Sequence, residues 1–181
     1  MKFSNAKKSP WLATGLALAA VASTSTVAVA ANAKICFEAE SADSKAVEKP
    51  LRKVLSGPNK KYSGKGYIEI PWDQNKTKGI GQATYRINVK TPGIYYLWAR
   101  TYWANGCGNS IKVLVNGSAR TLGGDGTYDN WHWVDTKARV TLKAGLNIFV
   151  LKNAETGIRV DQFFLCQDPD YVPTGIRTPN V

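Results

Sequence analysis

From about residue 34 onward the sequence never sustains a helical repeat. Short runs of aromatic and β-branched residues recur instead, each cut off by glycine, proline or asparagine. Apolar residues that alternate over five to eight positions bury one face of a strand and wet the other, which is the pattern of an all-β domain. Residues 82–90 show it most cleanly: Ala83, Tyr85, Ile87 and Val89 alternate with Thr84, Arg86, Asn88 and Lys90. Between two such runs stands Asn116-Gly117, a pair that tolerates positive φ at both positions and so closes a tight hairpin. Pro92-Gly93 and Ala144-Gly145 read as further turns. Strands are expected near 35–40, 66–70, 82–89, 93–102, 110–115, 119–122, 132–135, 138–142, 147–152 and 159–165. Half-buried strands in this number predict two antiparallel sheets packed face to face, a β-sandwich of the jelly-roll kind. Residues 43–62 are polar and lysine-rich. They are expected to form a long loop, with a short helix around 46–55 as the alternative.

The ends read differently. Lys2, Lys7 and Lys8 precede an alanine-rich apolar run, and Ala28-Val29-Ala30 and Ala31-Asn32-Ala33 both fit a small-residue cleavage site. Residues 1–33 are therefore expected to be an export leader. The competing reading is a retained membrane anchor, against which the Ser23-Thr24-Ser25-Thr26 patch interrupts the run. The domain is expected over 34–167, with 168–181 as an extended, proline-bearing tail. The whole chain carries a formal charge of +11, which falls to +8 once the three leader lysines are gone. A net positive field favours acidic partners. Export argues against nucleic acid and for an acidic glycan or a cell surface. The other reading of Lys60, Lys61, Lys65, Lys76 and Lys78 is a set of solvated loop charges.

Export also places the three cysteines in an oxidising compartment. Cys36 opens the first apolar segment and Cys166 closes the last. If those strands lie side by side and antiparallel the two thiols meet, so a Cys36–Cys166 bridge is expected, leaving Cys107 unpaired. The single histidine, His132, argues against a histidine-rich zinc site and against a Ser-His-Asp triad. None of the glycine-rich stretches joins a strand to a helix, as a phosphate-binding loop must.

The order of motifs resembles carbohydrate-binding modules of families six and thirty-five, which are galactose-binding-like β-sandwiches. Phe37-Glu38-Ala39-Glu40-Ser41 is similar to their opening strand, and Thr84–Val89 with Pro92–Arg100 to their paired central strands. Tyr128–Val134 resembles their aromatic loop and following strand, and Leu142–Asn147 with Gly157–Leu165 their closing hairpin. The resemblance runs from about residue 35 to 166. It implies a non-catalytic polysaccharide-binding module. Its cleft would be built from an aromatic of the Tyr128–Trp131 region, an aromatic near Tyr62, and an asparagine just before the last strand. Arg159 stands where that asparagine is expected. A planar guanidinium holds a carboxylate or sulfate with two bonds, which points to an acidic polysaccharide. Arg159 could equally pair with Glu155 or Asp161.

The residues themselves support a sugar site. A ring stacks on the apolar face of a sugar while neighbouring polar groups bond its edges. Tyr102-Trp103-Ala104-Asn105 and Tyr128-Asp129-Asn130-Trp131 both set rings beside such groups. Trp103, Asn105, Tyr128 and Trp131 are expected ligand residues on this ground, and Tyr62 and Arg159 are those that the resemblance implies. Trp98 is expected in the core, and Trp131 and Trp133, two apart, on one face of their strand. Glu38 and Glu40 also share a strand face, where like charges tolerate each other best around a cation, and calcium favours carboxylates. The resemblance implies a structural calcium on Glu38, Glu40 and Asp161. In a regular pairing that brings Cys36 opposite Cys166, however, Asp161 points to the opposite face, so bridge and metal site together require a bulge, a bend or an offset between the strands.

Three functions compete: a secreted glycan-binding module without an attached enzyme, a self-associating subunit of a surface fibre or matrix, and a small glycan hydrolase or lyase. The acids are too sparse to favour the last.

Overall fold

The computed structural model describes Met1, residues 32–56 and residues 61–181. The expected export leader, and Lys60, therefore lie outside the described residues, apart from the leader's first and last positions. Among the described residues, ten strands form two antiparallel sheets. The larger sheet runs β2(Arg52–Leu55), β3(Gly66–Ile70), β10(Ile158–Cys166), β5(Gly93–Trp103), β8(Trp131–Leu142), with β1(Lys34–Glu38) also paired to β10. The smaller runs β4(Gln82–Val89), β9(Gly145–Lys152), β6(Ser110–Val115), β7(Ser118–Gly123). The expected all-β, two-sheet sandwich is what forms.

The inner faces follow the sequence alternation. Tyr85, Ile87 and Val89 of β4 meet Leu97 and Ala99 of β5 and Phe163 and Leu165 of β10 in one core. At its centre, Phe37, Tyr85, Phe149 and Phe163 pack with ring centroids 4.6–5.8 Å apart, mostly edge-on or tilted. Such offset pairs stabilise beyond the area they bury. The Asn116-Gly117 turn closes β6 onto β7 with φ of 49° and 87°, the double left-handed geometry a two-residue hairpin needs.

Four expectations need correction. Arg52–Leu55 is a strand within the segment taken as a loop, and the helical turn there is only a short 3-10 piece at Ser44–Ala46. Residues 132–142 form one strand rather than two, because its register against β5 shifts between Tyr96 and Trp98 instead of breaking. Trp98 lies on the outer face of the larger sheet, in a small cluster with Cys36, Phe164, Cys166 and Trp133, not between the sheets. The expected Cys36–Cys166 bridge is absent. The strands are adjacent and antiparallel as anticipated, but Cys36 pairs with Phe164 and Cys166 with Lys34, so the thiols are diagonal neighbours and both are free. Burial pushes the Cys36 thiol up to about 12.

The tail is extended, as expected, and crosses the outer face of the larger sheet. Trp133 Nε1 donates to Gly175 O (2.8 Å), and Tyr171 stacks on Phe164 with centroids 5.2 Å apart. Asn180 bonds the free edge of β1 at Cys36 N and O. One half of the outer face is thereby covered and the other half stays open.

Candidate functional site

β10 lies at the centre of the larger sheet, and its partner on one side changes along its length. Residues 158–160 pair with β3, whereas residues 162–166 pair with β1. On its other side, the register with β5 slips between Val160 and Gln162. Asp161 is the extra residue of this bulge. A bulge re-aims the side chains that follow it, so both Asp161 and Gln162 meet groups on the outer face. Of the bulge, bend or offset that the two expectations together called for, a bulge is present, although the disulfide is not.

Around it lies a buried polar centre. Arg100 Nη1 donates to Asp161 Oδ2 (2.5 Å) and the Ser63 N–H to Asp161 Oδ1 (2.8 Å). Glu38 Oε1 accepts from Ser63 Oγ (2.5 Å) and from Gln162 Nε2 (3.2 Å). Glu40 Oε1 accepts from the backbone of Lys65 (2.9 Å) and Gly66 (3.1 Å). The second oxygens, Glu38 Oε2 and Glu40 Oε2, are buried without a hydrogen-bond partner. Gly64 closes over the pair at φ 57°, and a Cβ there would stand 2.5 Å from Glu40 Oε1. Burial above all, then the charges of Glu40 and Asp161, pushes the Glu38 carboxyl up to about 7 against the lowering effect of Ser63. Burial raises Glu40 as well.

Two orphaned carboxylate oxygens under a glycine lid suit a hard cation. Asp161 departs from the expected triad, since both its oxygens are already bonded and Arg100 balances its charge. Among the described residues no set of three or more acidic, histidine or cysteine side chains gathers as a metal shell. The fit is to Glu38 and Glu40 alone.

Next to this centre an aromatic strip crosses the open half of the face. Trp131 of β8 sits between Tyr67 of β3 (5.5 Å) and Tyr102 of β5 (5.7 Å), and Tyr62 packs on Tyr67 at 5.4 Å. Tyr67 is buried beneath the others, while Tyr62, Tyr102 and Trp131 remain partly open. The Arg159 guanidinium lies 5.0 Å from the Tyr102 ring and 5.8 Å from that of Tyr67. It pairs with Glu69 (3.3 Å) rather than with Glu155 or Asp161, and Glu69 is shared with Arg52 (2.6 Å). Two arginines thus face one carboxylate, which leaves a positive surplus beside the rings. Arg52, Tyr67, Glu69 and Arg159 line a groove of about 450 Å³ along β2 and β3.

The structure therefore unites Tyr62, Trp131 and Arg159. It removes Trp103, whose exposure is 0%: β5 runs one residue further than expected, and the inward series Tyr95, Leu97, Ala99 continues to Trp103. Tyr128, 40% exposed, and Asn105 share a neighbouring loop corner. There the Tyr128 hydroxyl accepts from Asn109 and lies against Gly106, while Asn105 Oδ1 accepts from Cys107 N. Tyr67, Tyr102, Arg100 and Arg52 were missed. The alternation Tyr67-Ile68-Glu69-Ile70 already separates the two faces of β3 and could have singled out Tyr67.

The chain is thus a two-sheet antiparallel β-sandwich with a ring-and-arginine strip on the open half of one sheet face. No family model and no curated protein matches the sequence, but solved structures match the fold. A family 35 carbohydrate-binding module from Clostridium thermocellum is 18% identical with a TM-score of 0.54, over 74% of this chain and 97% of that one. The GH26-CBM35 β-(1,4)-mannanase of Podospora anserina is 22% identical with a TM-score of 0.56, over 81% of this chain but only 29% of the enzyme. The exo-β-1,3-galactanase of Phanerochaete chrysosporium is 16% identical with a TM-score of 0.54, over 76% of this chain and 30% of the enzyme. The chain thus spans less than a third of either enzyme and has the fold of the family 35 modules.

Proposed function

We propose that this protein is a secreted, non-catalytic module that binds polysaccharide on the outer face of its larger sheet. The observation that carries the reading is Trp131, partly open between Tyr67 and Tyr102 with Arg159 at their edge. Rings take the apolar face of a sugar, and the arginine adds a fork for a carboxylate or sulfate. An acidic polysaccharide is the favoured ligand, in keeping with the net charge of +8 that remains of the +11 without the three leader lysines. The share of the mannanase and galactanase that this fold spans also supports an accessory, binding role.

The test is binding to soluble polygalacturonate and to neutral galactomannan. The full protein is expected to retain polygalacturonate more strongly, and Arg159→Gln to weaken that binding about tenfold while leaving galactomannan unaffected. Equal binding of both polymers by the wild type would remove the acidic specificity. Binding of neither would remove the function.

Calcium on Glu38 and Glu40 belongs to the same proposal and would supply the charge that the two buried carboxylates lack. With the Glu38 carboxyl raised from 4.5 to about 7, the metal-free folded state binds more protons than the unfolded one across that interval. Its stability therefore falls as pH rises through the interval and stays low above it. Calcium should raise Tm by more near about pH 7.5 than near about pH 5, since it binds the ionised pair. Thermal unfolding in chelator and in calcium at both pH values checks this. An equal response at the two would exclude Glu38 as a ligand.

A further inference from the structure

We propose that Arg100 is the positioning residue of the polysaccharide platform, coupling the buried acidic centre to the rings; the proposal rests on the binding site described above. Three contacts diverge from its guanidinium. Nη1 is bonded to Asp161, and Nη2 donates to Lys61 O (3.0 Å). The guanidinium carbon lies 5.5 Å from the Trp131 ring centroid. Arg100 is itself buried, at 8% side-chain exposure against 0% for Asp161, so it is not a surface fork waiting for an anion.

Each contact has a separate consequence. The Asp161 bond orients the guanidinium, because a planar fork held at one edge has little freedom left. The Lys61 bond anchors the segment that carries Tyr62. The face toward Trp131 fixes the indole by cation–π attraction, which strengthens as water is excluded. Trp131 is the first residue of its strand, paired opposite Tyr102 of β5. The bulge at Asp161 makes this arrangement possible by turning the carboxylate to the face where Arg100 lies.

Lysine at this position keeps a charge for Asp161 but has neither a second nitrogen in a fixed plane nor a flat face. In fluorotryptophan-labelled full-length protein, the Trp131 resonance, assigned by its loss in Trp131→Phe, is expected to shift and broaden in Arg100→Lys. Retention on polygalacturonate should fall by about tenfold. Replacing the pair together, Arg100→Met with Asp161→Leu, removes both charges of that ion pair, so neither is left buried alone. This second variant should fold and show the same change at Trp131 and the same loss of affinity. An unaltered Trp131 resonance and wild-type affinity in a folded variant would overturn the proposal and leave Arg100 a structural ion-pair partner. If the wild type binds no polysaccharide the platform reading fails, and the Trp131 resonance still decides whether Arg100 holds the ring.

Discussion

Trp131→Ala is expected to lower affinity for polygalacturonate by at least about thirtyfold, roughly 2 kcal/mol, while costing the fold only about 1 kcal/mol. The asymmetry follows from where the ring lies. Trp131 is the middle member of the strip, touching Tyr67 on one side and Tyr102 on the other, yet it lies on the outer sheet face and outside the core between the sheets. Its removal interrupts the strip of rings against which a sugar would lie and withdraws the face that Arg100 meets. It opens no cavity in the core. Affinity electrophoresis and thermal unfolding on the same sample separate the two effects. Unchanged binding would move the ligand site off this strip, with the loop corner at Tyr128 as the next place to look. Unfolding of the variant would show that the ring is structural.

Trp103→Ala should give the opposite result, with a stability loss of about 3–5 kcal/mol. Trp103 is among the largest side chains wholly buried, at 0% exposure, on a strand that pairs with both β8 and β10. An indole lost there leaves a void that neighbours on two paired strands cannot close. For a domain of this size the midpoint should drop by roughly 6–20 °C. Binding measured well below the new midpoint should stay near wild type, since the strip on the other face is intact. A selective loss of affinity at unchanged stability would return Trp103 to the ligand site. Both tryptophans were expected at the ligand site from similar contexts, and only Trp103 departs from that expectation by lying wholly buried.

Trp103 also shows how far the sequence could be read. Both Tyr102-Trp103-Ala104-Asn105 and Tyr128-Asp129-Asn130-Trp131 set rings beside hydrogen-bonding groups, and nothing local tells them apart. The outcome turned on whether β5 ended at residue 102 or 103, a difference of one residue in a side-chain period of two. Arg52–Leu55 was missed for a related reason: four residues, two of them cationic, carry too little periodicity to announce a strand and owe their form to pairing with Tyr67 and Glu69.

Two separate details of strand register decided where the cysteines and the acidic residues lie. A register shift of two residues keeps every side chain on its face but separates Cys36 from Cys166. A single-residue bulge does the reverse at Asp161, turning it toward groups it would otherwise have opposed, where Arg100 claims it.

What the amino-acid order determined by itself was the all-β character, the strand segments of strong alternation, the Asn116-Gly117 hairpin and the two-sheet packing. Each depends on a few consecutive residues and on the need to bury one face of a strand. Only the tertiary structure decided which rings share a surface, which thiols meet and which acid keeps a partner. Those outcomes depend on strand register and on the change of neighbour along β10. Both are set by contacts between residues up to about 130 positions apart in the chain, where local pattern carries no information.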